Sequence, residues 1–78
     1  MIVSDLEAKG DLGFSYDIRQ SGERATVLLV NGGTLLGIWS CSRLGTTKNE
    51  IEDMAPDEFD QFCSSVILKI ISGDLTCP

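Results

Sequence analysis

The 78 residues are enough for one small domain, spanning positions 1–78, and an apolar fraction of 42% is too high for a disordered chain. Twelve acidic and six basic side chains give a net charge of −6, and histidine is absent. This charge disfavours direct binding to DNA or RNA, because the phosphates would repel it. No apolar run reaches the roughly 20 residues of a membrane span, and the first residues lack the features of a signal peptide. We therefore expect a cytoplasmic protein without a membrane partner.

The first residues allow two interpretations. Ser4 followed by Glu7 fits a capping box, which predicts a short helical turn over residues 4–9 that Gly10 would end. A β-strand over residues 1–3 is the alternative.

The next segment, residues 14–19, alternates strictly between apolar and polar side chains. It predicts a half-buried strand at a sheet edge, with Phe14, Tyr16 and Ile18 on its buried face.

A β-hairpin follows, with strands over residues 25–30 and 34–42 joined at Asn31-Gly32. Asn-Gly favours a two-residue type I′ turn, and moving the turn to Gly32-Gly33 leaves the faces unchanged because strand side chains alternate. One face should carry Ala25, Val27, Leu29, Leu36 and Ile38. The other face should carry Thr26, Leu28, Val30, Leu35, Gly37, Trp39 and Cys41.

The last element is a helix that begins near Pro56 and ends at Gly73, with acidic side chains in its first turn. Apolar side chains from Phe59 to Ile70 recur at helical spacing, so one side of the helix should face a sheet. We predict an α+β fold: a three-stranded antiparallel β-meander with one C-terminal α-helix packed on one face (βββα). The short N-terminal helical turn would be an addition to it.

The sequence contains no catalytic pattern. Without histidine there is no Ser-His or Cys-His pair, and the glycines do not form a phosphate-binding loop. The three cysteines, Cys41, Cys63 and Cys77, are odd in number and widely spaced, which is atypical of a disulfide framework or a zinc site. We interpret Cys63 as a core residue, Cys41 as a strand residue and Cys77 as a tail thiol. The prediction is a protein that is not an enzyme and holds no metal or other cofactor.

Two groups of residues are candidates for binding a partner. The first is the apolar part of the second sheet face, which residues 1–13 would cover unless it forms an interaction surface. The second is the acidic segment 50–60. It is either a solvated loop that leads into the helix or a patch that occupies a basic nucleic-acid groove on another protein. The candidate partner-binding residues are Leu28, Val30, Leu35, Trp39, Glu50, Glu52, Asp53, Asp57, Glu58 and Asp60.

Two functions fit these features. The first is a small acidic inhibitor or adaptor that covers a functional surface of another protein. Its size, charge and lack of catalytic groups are those of small phage and mobile-element proteins that block host defences such as CRISPR complexes, although no motif identifies a family. Such a protein would act in the host cytoplasm. The second is a homo-oligomeric structural or accessory module that assembles through the Trp39 sheet face or the edge of the third strand.

Overall fold

The fold is an antiparallel β-sheet that is covered on one face by helices. The computed structural model describes residues 6–75. The strands are β1 (Glu7–Ala8), β2 (Phe14–Ser21), β3 (Arg24–Asn31) and β4 (Thr34–Ser40). A 3₁₀ turn (Ser42–Leu44) leads to the helices α1 (Lys48–Asp53) and α2 (Pro56–Ser72). The four strands form one antiparallel sheet in the order β1-β2-β3-β4.

The α+β class is confirmed, but the prediction of three strands and one helix is wrong in detail. The extra strand, β1, pairs Glu7 with Tyr16 and Ala8 with Ser15 at the edge of β2. Two residues are too few to give a periodic pattern, and they form a strand where a helical turn was predicted. Residues 1–5, which include the alternative strand over residues 1–3, lie outside the described residues. Helix α1 has six residues and begins at the N-cap Thr47, whose side chain accepts a hydrogen bond from the Glu50 amide.

The hairpin turn consists of Gly32 and Gly33, and both have positive φ, as a turn of this kind requires. Asn31 therefore belongs to β3 and lies opposite Thr34, and Val30 lies opposite Leu35. Beyond this point the register shifts by one residue, so that Leu29 lies opposite Gly37. Leu36 is the inserted residue of a β-bulge in β4.

The bulge reverses the predicted faces of β4. Because one inserted residue moves every later side chain to the other side of the sheet, Gly37 and Trp39 join the face of Val27, while Ile38 moves to the face of Leu28. The prediction for Gly37, Ile38 and Trp39 is therefore wrong. Cys41, just beyond the end of β4, is likewise buried in the core rather than placed with Leu28. Only 7% of Trp39 is exposed, and a Cβ at position 37 would overlap its indole ring, so glycine makes room for the ring.

The hydrophobic core lies between the inward face of the sheet and the two helices. Helix α2 contributes Phe59, Cys63 and Val66, as the helical spacing predicts, and α1 contributes Ile51. The ring centroids of Phe59 and Tyr16 are 5.2 Å apart. Helix α2 ends at Gly73, which adopts the left-handed conformation and donates its N–H to the carbonyls of Ile70 and Lys69. None of the helices within residues 6–75 is long and apolar enough to cross a membrane.

Candidate interaction surfaces

The sheet face that points away from the helices, here called the outer face, has an apolar centre. It is built from two directly opposed pairs, Val30 with Leu35 and Leu28 with Ile38. Leu35 is 53% exposed and Ile38 37% exposed, whereas Leu28 and Val30 are half-buried. Three of these four residues were predicted on this face. Ile38 was missed because the bulge brings it there, and Trp39 was placed there by mistake.

Polar side chains surround the apolar centre of the outer face. By register, Ser15, Asp17 and Arg19 of β2 and Thr26 and Ser40 of the hairpin lie on this face. Arg19 Nε donates to Asp17 Oδ2 at 3.0 Å, and alternation from Thr26 places Arg24 on the same side. Among the described residues of these strands, the outer face thus carries one acid and two bases, in a chain whose net charge is −6.

The N-terminal segment extends the sheet sideways instead of folding over the outer face. Strand β1 lies at the edge of β2, and Leu6 and Leu12 are both exposed. Residues 9–11 contact the helices, on the opposite side of the sheet. For residues 6–13, the expectation that the first thirteen residues cover this face is therefore wrong, and Ile2 and Val3 lie outside the described residues.

The second candidate region, here called the acidic surface, lies on the helical side of the sheet. It consists of five exposed carboxylates on α1 and the first turn of α2: Glu50, Glu52, Asp53, Asp57 and Glu58. Two of them have local structural roles, since Glu50 Oε2 accepts from Thr46 Oγ1 and Glu58 Oε1 accepts from the Ala55 amide, both at 3.2 Å. Asp57 is at the N-terminus of α2, where negative charge is favourable.

Glu52 and Asp53 have no such local explanation. They are the last two residues of α1, where the helix dipole makes negative charge unfavourable. Both side chains are exposed. Carboxylates at this end of a helix add to the negative potential of the surface without stabilising the helix.

Lys9 places a positive charge at this negative end of α1. Its Nζ donates to the carbonyl oxygens of Ile51 at 2.7 Å and Met54 at 3.3 Å, and also to that of Glu52. The same ammonium group lies 5.8 Å from the centroid of the Tyr16 ring. The ammonium group is thus directed at backbone oxygens and an aromatic ring. Nothing in the sequence indicated this role, because the contacts join residues more than 40 positions apart.

Asp60, the sixth acidic candidate, does not belong to the acidic surface. Its Oδ2 accepts from the Asp11 amide at 2.9 Å, and its Oδ1 is buried. A Cβ at position 10 would overlap the Asp60 carboxylate, so Gly10 allows the chain to pass close to it. Asp60 therefore fixes the N-terminal segment to α2.

The buried phenol and thiol side chains are held in their protonated, unreactive forms. The pKa of Tyr16 is raised to about 12, mainly because the side chain is buried and secondly because it donates a 3.1 Å hydrogen bond to Glu7. The pKa of the Cys63 thiol is raised to about 12, mainly by burial and secondly by the negative charge of Asp60. Burial also raises the pKa of the Cys41 thiol. Thiols of this kind are poor nucleophiles at neutral pH. Residues 6–75 contain no group of three or more Cys, Asp or Glu side chains that could hold a metal ion.

A groove of about 580 Å³ lies between the β2–β3 turn and the first turn of α1. Its charged side chains are Glu23, Arg24 and Lys48, and Cys41 lines it. The remaining lining consists mostly of hydroxyl and amide groups.

No protein-family model matches this chain, and no curated protein or solved structure is significantly similar to it.

Proposed function

We propose that this chain is a small protein-binding module without catalytic activity, which inhibits or adapts another protein by covering a basic surface on it. The observation that carries the proposal is the acidic surface, where Glu52 and Asp53 stand exposed at the unfavourable end of α1. The neighbouring Lys9 is held by backbone carbonyls. These charges cost the fold stability or leave it unchanged, and a complementary partner would offset them.

The partner we propose is a protein with a basic site, such as one that binds nucleic-acid phosphates. Several carboxylates presented on one short helix and an adjacent first turn can occupy a site that normally holds phosphates. A phage or mobile-element inhibitor of a CRISPR complex, acting in the host cytoplasm, remains the favoured example of this class. Its affinity should fall as salt is added, because screening weakens attraction between exposed charges.

Charge reversal tests this proposal. The variant E52K/D53K/D57K reverses three charges on the acidic surface, and the matched control D11K/E23K/D74K reverses three exposed acids elsewhere. Both variants change the net charge equally. In affinity capture from the native host, the wild type and the control should retain one stoichiometric partner, which E52K/D53K/D57K should lose.

Three outcomes would contradict the proposal. The first is capture that E52K/D53K/D57K leaves intact, and the second is equal loss in the control, which would indicate a general charge effect. The third is the absence of any stoichiometric partner in the native host. Circular dichroism of both variants would show that they are folded.

A further inference from the structure

We infer that the groove between the β2–β3 turn and the first turn of α1 binds a small sugar phosphate. Its volume of about 580 Å³ falls within the range of roughly 300–1,000 Å³ that is usual for small-molecule sites. The groove shares no residue with the acidic surface. This inference therefore goes beyond the proposed function and does not depend on it.

The floor of the groove is fixed by backbone hydrogen bonds. The Cys41 amide donates to the Ala25 carbonyl at 2.9 Å, and the Thr46 amide donates to the Cys41 carbonyl at 3.0 Å. These bonds hold the end of the hairpin against the segment that leads into α1. Cys41 and Thr46 are buried and Ala25 is half-buried, so a ligand meets a floor that is already formed.

A cation without a partner lines each wall of the groove. Lys9, Arg19 and Arg43 each donate to an oxygen of the protein. Within residues 6–75, by contrast, the side chains of Arg24 and Lys48 have no hydrogen-bond or ion-pair partner. A guanidinium group can donate two parallel hydrogen bonds to a phosphate, and an ammonium group adds a compact positive charge. Two such groups on facing walls favour a phosphate from outside the chain.

The rest of the lining suits the hydroxyl groups of a sugar. Above the floor, the side chains that accompany the two cations are hydroxyls, amides and one carboxylate: Gln20, Glu23, Ser40, Ser42, Thr47 and Asn49. Such groups accept hydrogen bonds from sugar hydroxyls or donate to them. Nucleobases are usually held by stacking on aromatic side chains, and no aromatic residue is among the described residues that line this groove. The lining therefore favours a sugar phosphate over a nucleotide.

Glu23 determines how the ligand would be oriented. Its carboxylate repels a phosphate and accepts hydrogen bonds from hydroxyl groups. The phosphate should therefore lie beside Arg24 and Lys48, and the sugar beside Glu23. Because the walls are exposed to solvent, salt screens these charges and each ion pair contributes little. We expect a dissociation constant on the order of 1 mM.

A titration followed through backbone amide chemical shifts in NMR spectra tests the inference. The probe is glucose phosphorylated on its primary hydroxyl group, here called glucose phosphate. It should shift the amides of residues 20–25 and 40–49 and saturate with a dissociation constant on the order of 1 mM. Inorganic phosphate should shift part of the same set about tenfold more weakly, because it lacks the hydroxyl contacts, and glucose should bind more weakly still.

The variant R24Q/K48Q removes both cations of the groove and should weaken the binding of glucose phosphate about tenfold. The matched control R19Q/K69Q removes two exposed bases elsewhere, changes the net charge equally and should bind like the wild type. Lys48 is the first residue of α1, where a cation does not stabilise a helix, so K48Q alone should fold and still weaken binding. E23A should reduce the preference for glucose phosphate over inorganic phosphate.

Several results would overturn the inference. They are the absence of saturable shifts up to about 20 mM glucose phosphate, well above the expected dissociation constant, and shifts confined to other residues. Equal effects of R24Q/K48Q and R19Q/K69Q would show a general charge effect and overturn it too. Inorganic phosphate or glucose binding as tightly as glucose phosphate, or an unchanged preference in E23A, would exclude the sugar phosphate. Since R24Q/K48Q should keep the protein partner of the acidic surface, the two proposals can fail separately.

Discussion

Replacing Lys9 with methionine should destabilise the protein, because this ammonium group joins the N-terminal segment to the end of α1. The substitution keeps most of the apolar stem and removes the charge. It removes the ammonium donor from the carbonyl oxygens of Ile51, Glu52 and Met54, of which only that of Ile51 also accepts from an amide that the helix end supplies, and it removes the cation from the Tyr16 ring. These carbonyls belong to the C-terminal end of α1, where a cation is favourable.

The magnitude can be estimated from these contacts. Hydrogen bonds to a charged group contribute about 1.5–3 kcal/mol, and a cation–π contact at an exposed site about 0.5–1 kcal/mol. The contacts share one ammonium group and do not add, so we expect a loss of about 2–3 kcal/mol. For a domain of this size that loss lowers the melting temperature by about 8–24 °C, at roughly 4–8 °C per kcal/mol. It is a large part of a total stability on the order of 4–12 kcal/mol.

Urea denaturation followed by Trp39 fluorescence and by circular dichroism would measure this loss. The matched control is Lys48→Met, which removes a cation from the first turn of α1, where a positive charge is unfavourable. The control should stay within about 0.5 kcal/mol of the wild type. If Lys9→Met stays within the same limits, the account of Lys9 as the group that closes the end of α1 is wrong.

Two further predictions concern the core. Gly37→Ala should lower the free energy of unfolding by about 1–3 kcal/mol, because the added Cβ overlaps the indole of Trp39, and a gain of stability in urea denaturation would contradict this packing. Since the pKa of Tyr16 is raised from 10.0 to about 12 in the fold, the stability that it contributes is complete below pH 10 and is lost as the pH rises towards 12. Urea titrations across this window should show a shallower decline for Tyr16→Phe than for the wild type, and parallel declines would exclude Tyr16 as a cause.

Local signals explain which elements the sequence predicts. Pro56, the acidic first turn, the apolar spacing from Phe59 and the terminal Gly73 all act within one helix, and α2 forms where they indicate. Alternation likewise identifies β2. Helix α1 was not predicted, although Thr47 followed by Glu50 is a capping pattern that could have indicated it.

The elements that were missed depend on contacts between distant residues. Strand β1 has two residues, and its neighbours Lys9 and Asp11 are fixed by α1 and by Asp60, far along the chain. No pattern within the N-terminal segment contains that information. The bulge at Leu36 is different, because an isolated glycine inside a strand, here Gly37, often marks a bulge.

The same distinction applies to the candidate surfaces. The five residues of the acidic surface were predicted from charge alone, since exposed carboxylates do not depend on tertiary contacts. Asp60 was grouped with them because its contact with the Asp11 amide is not visible in the sequence. On the outer face, Ile38 replaces Trp39 because face assignments change whenever a strand contains an inserted residue.

The fluorescence of Trp39 tests most directly which face of the sheet is buried under the helices and which is exposed. If the bulge turns Trp39 into the core and leaves Ile38 outside, the indole emission of the folded protein should be blue-shifted, and acrylamide and iodide should quench it weakly. As the only tryptophan, Trp39 gives an unambiguous signal. Emission and quenching equal to those of the urea-unfolded chain would place the indole in solvent and contradict the division into an apolar outer face and a helix-covered core.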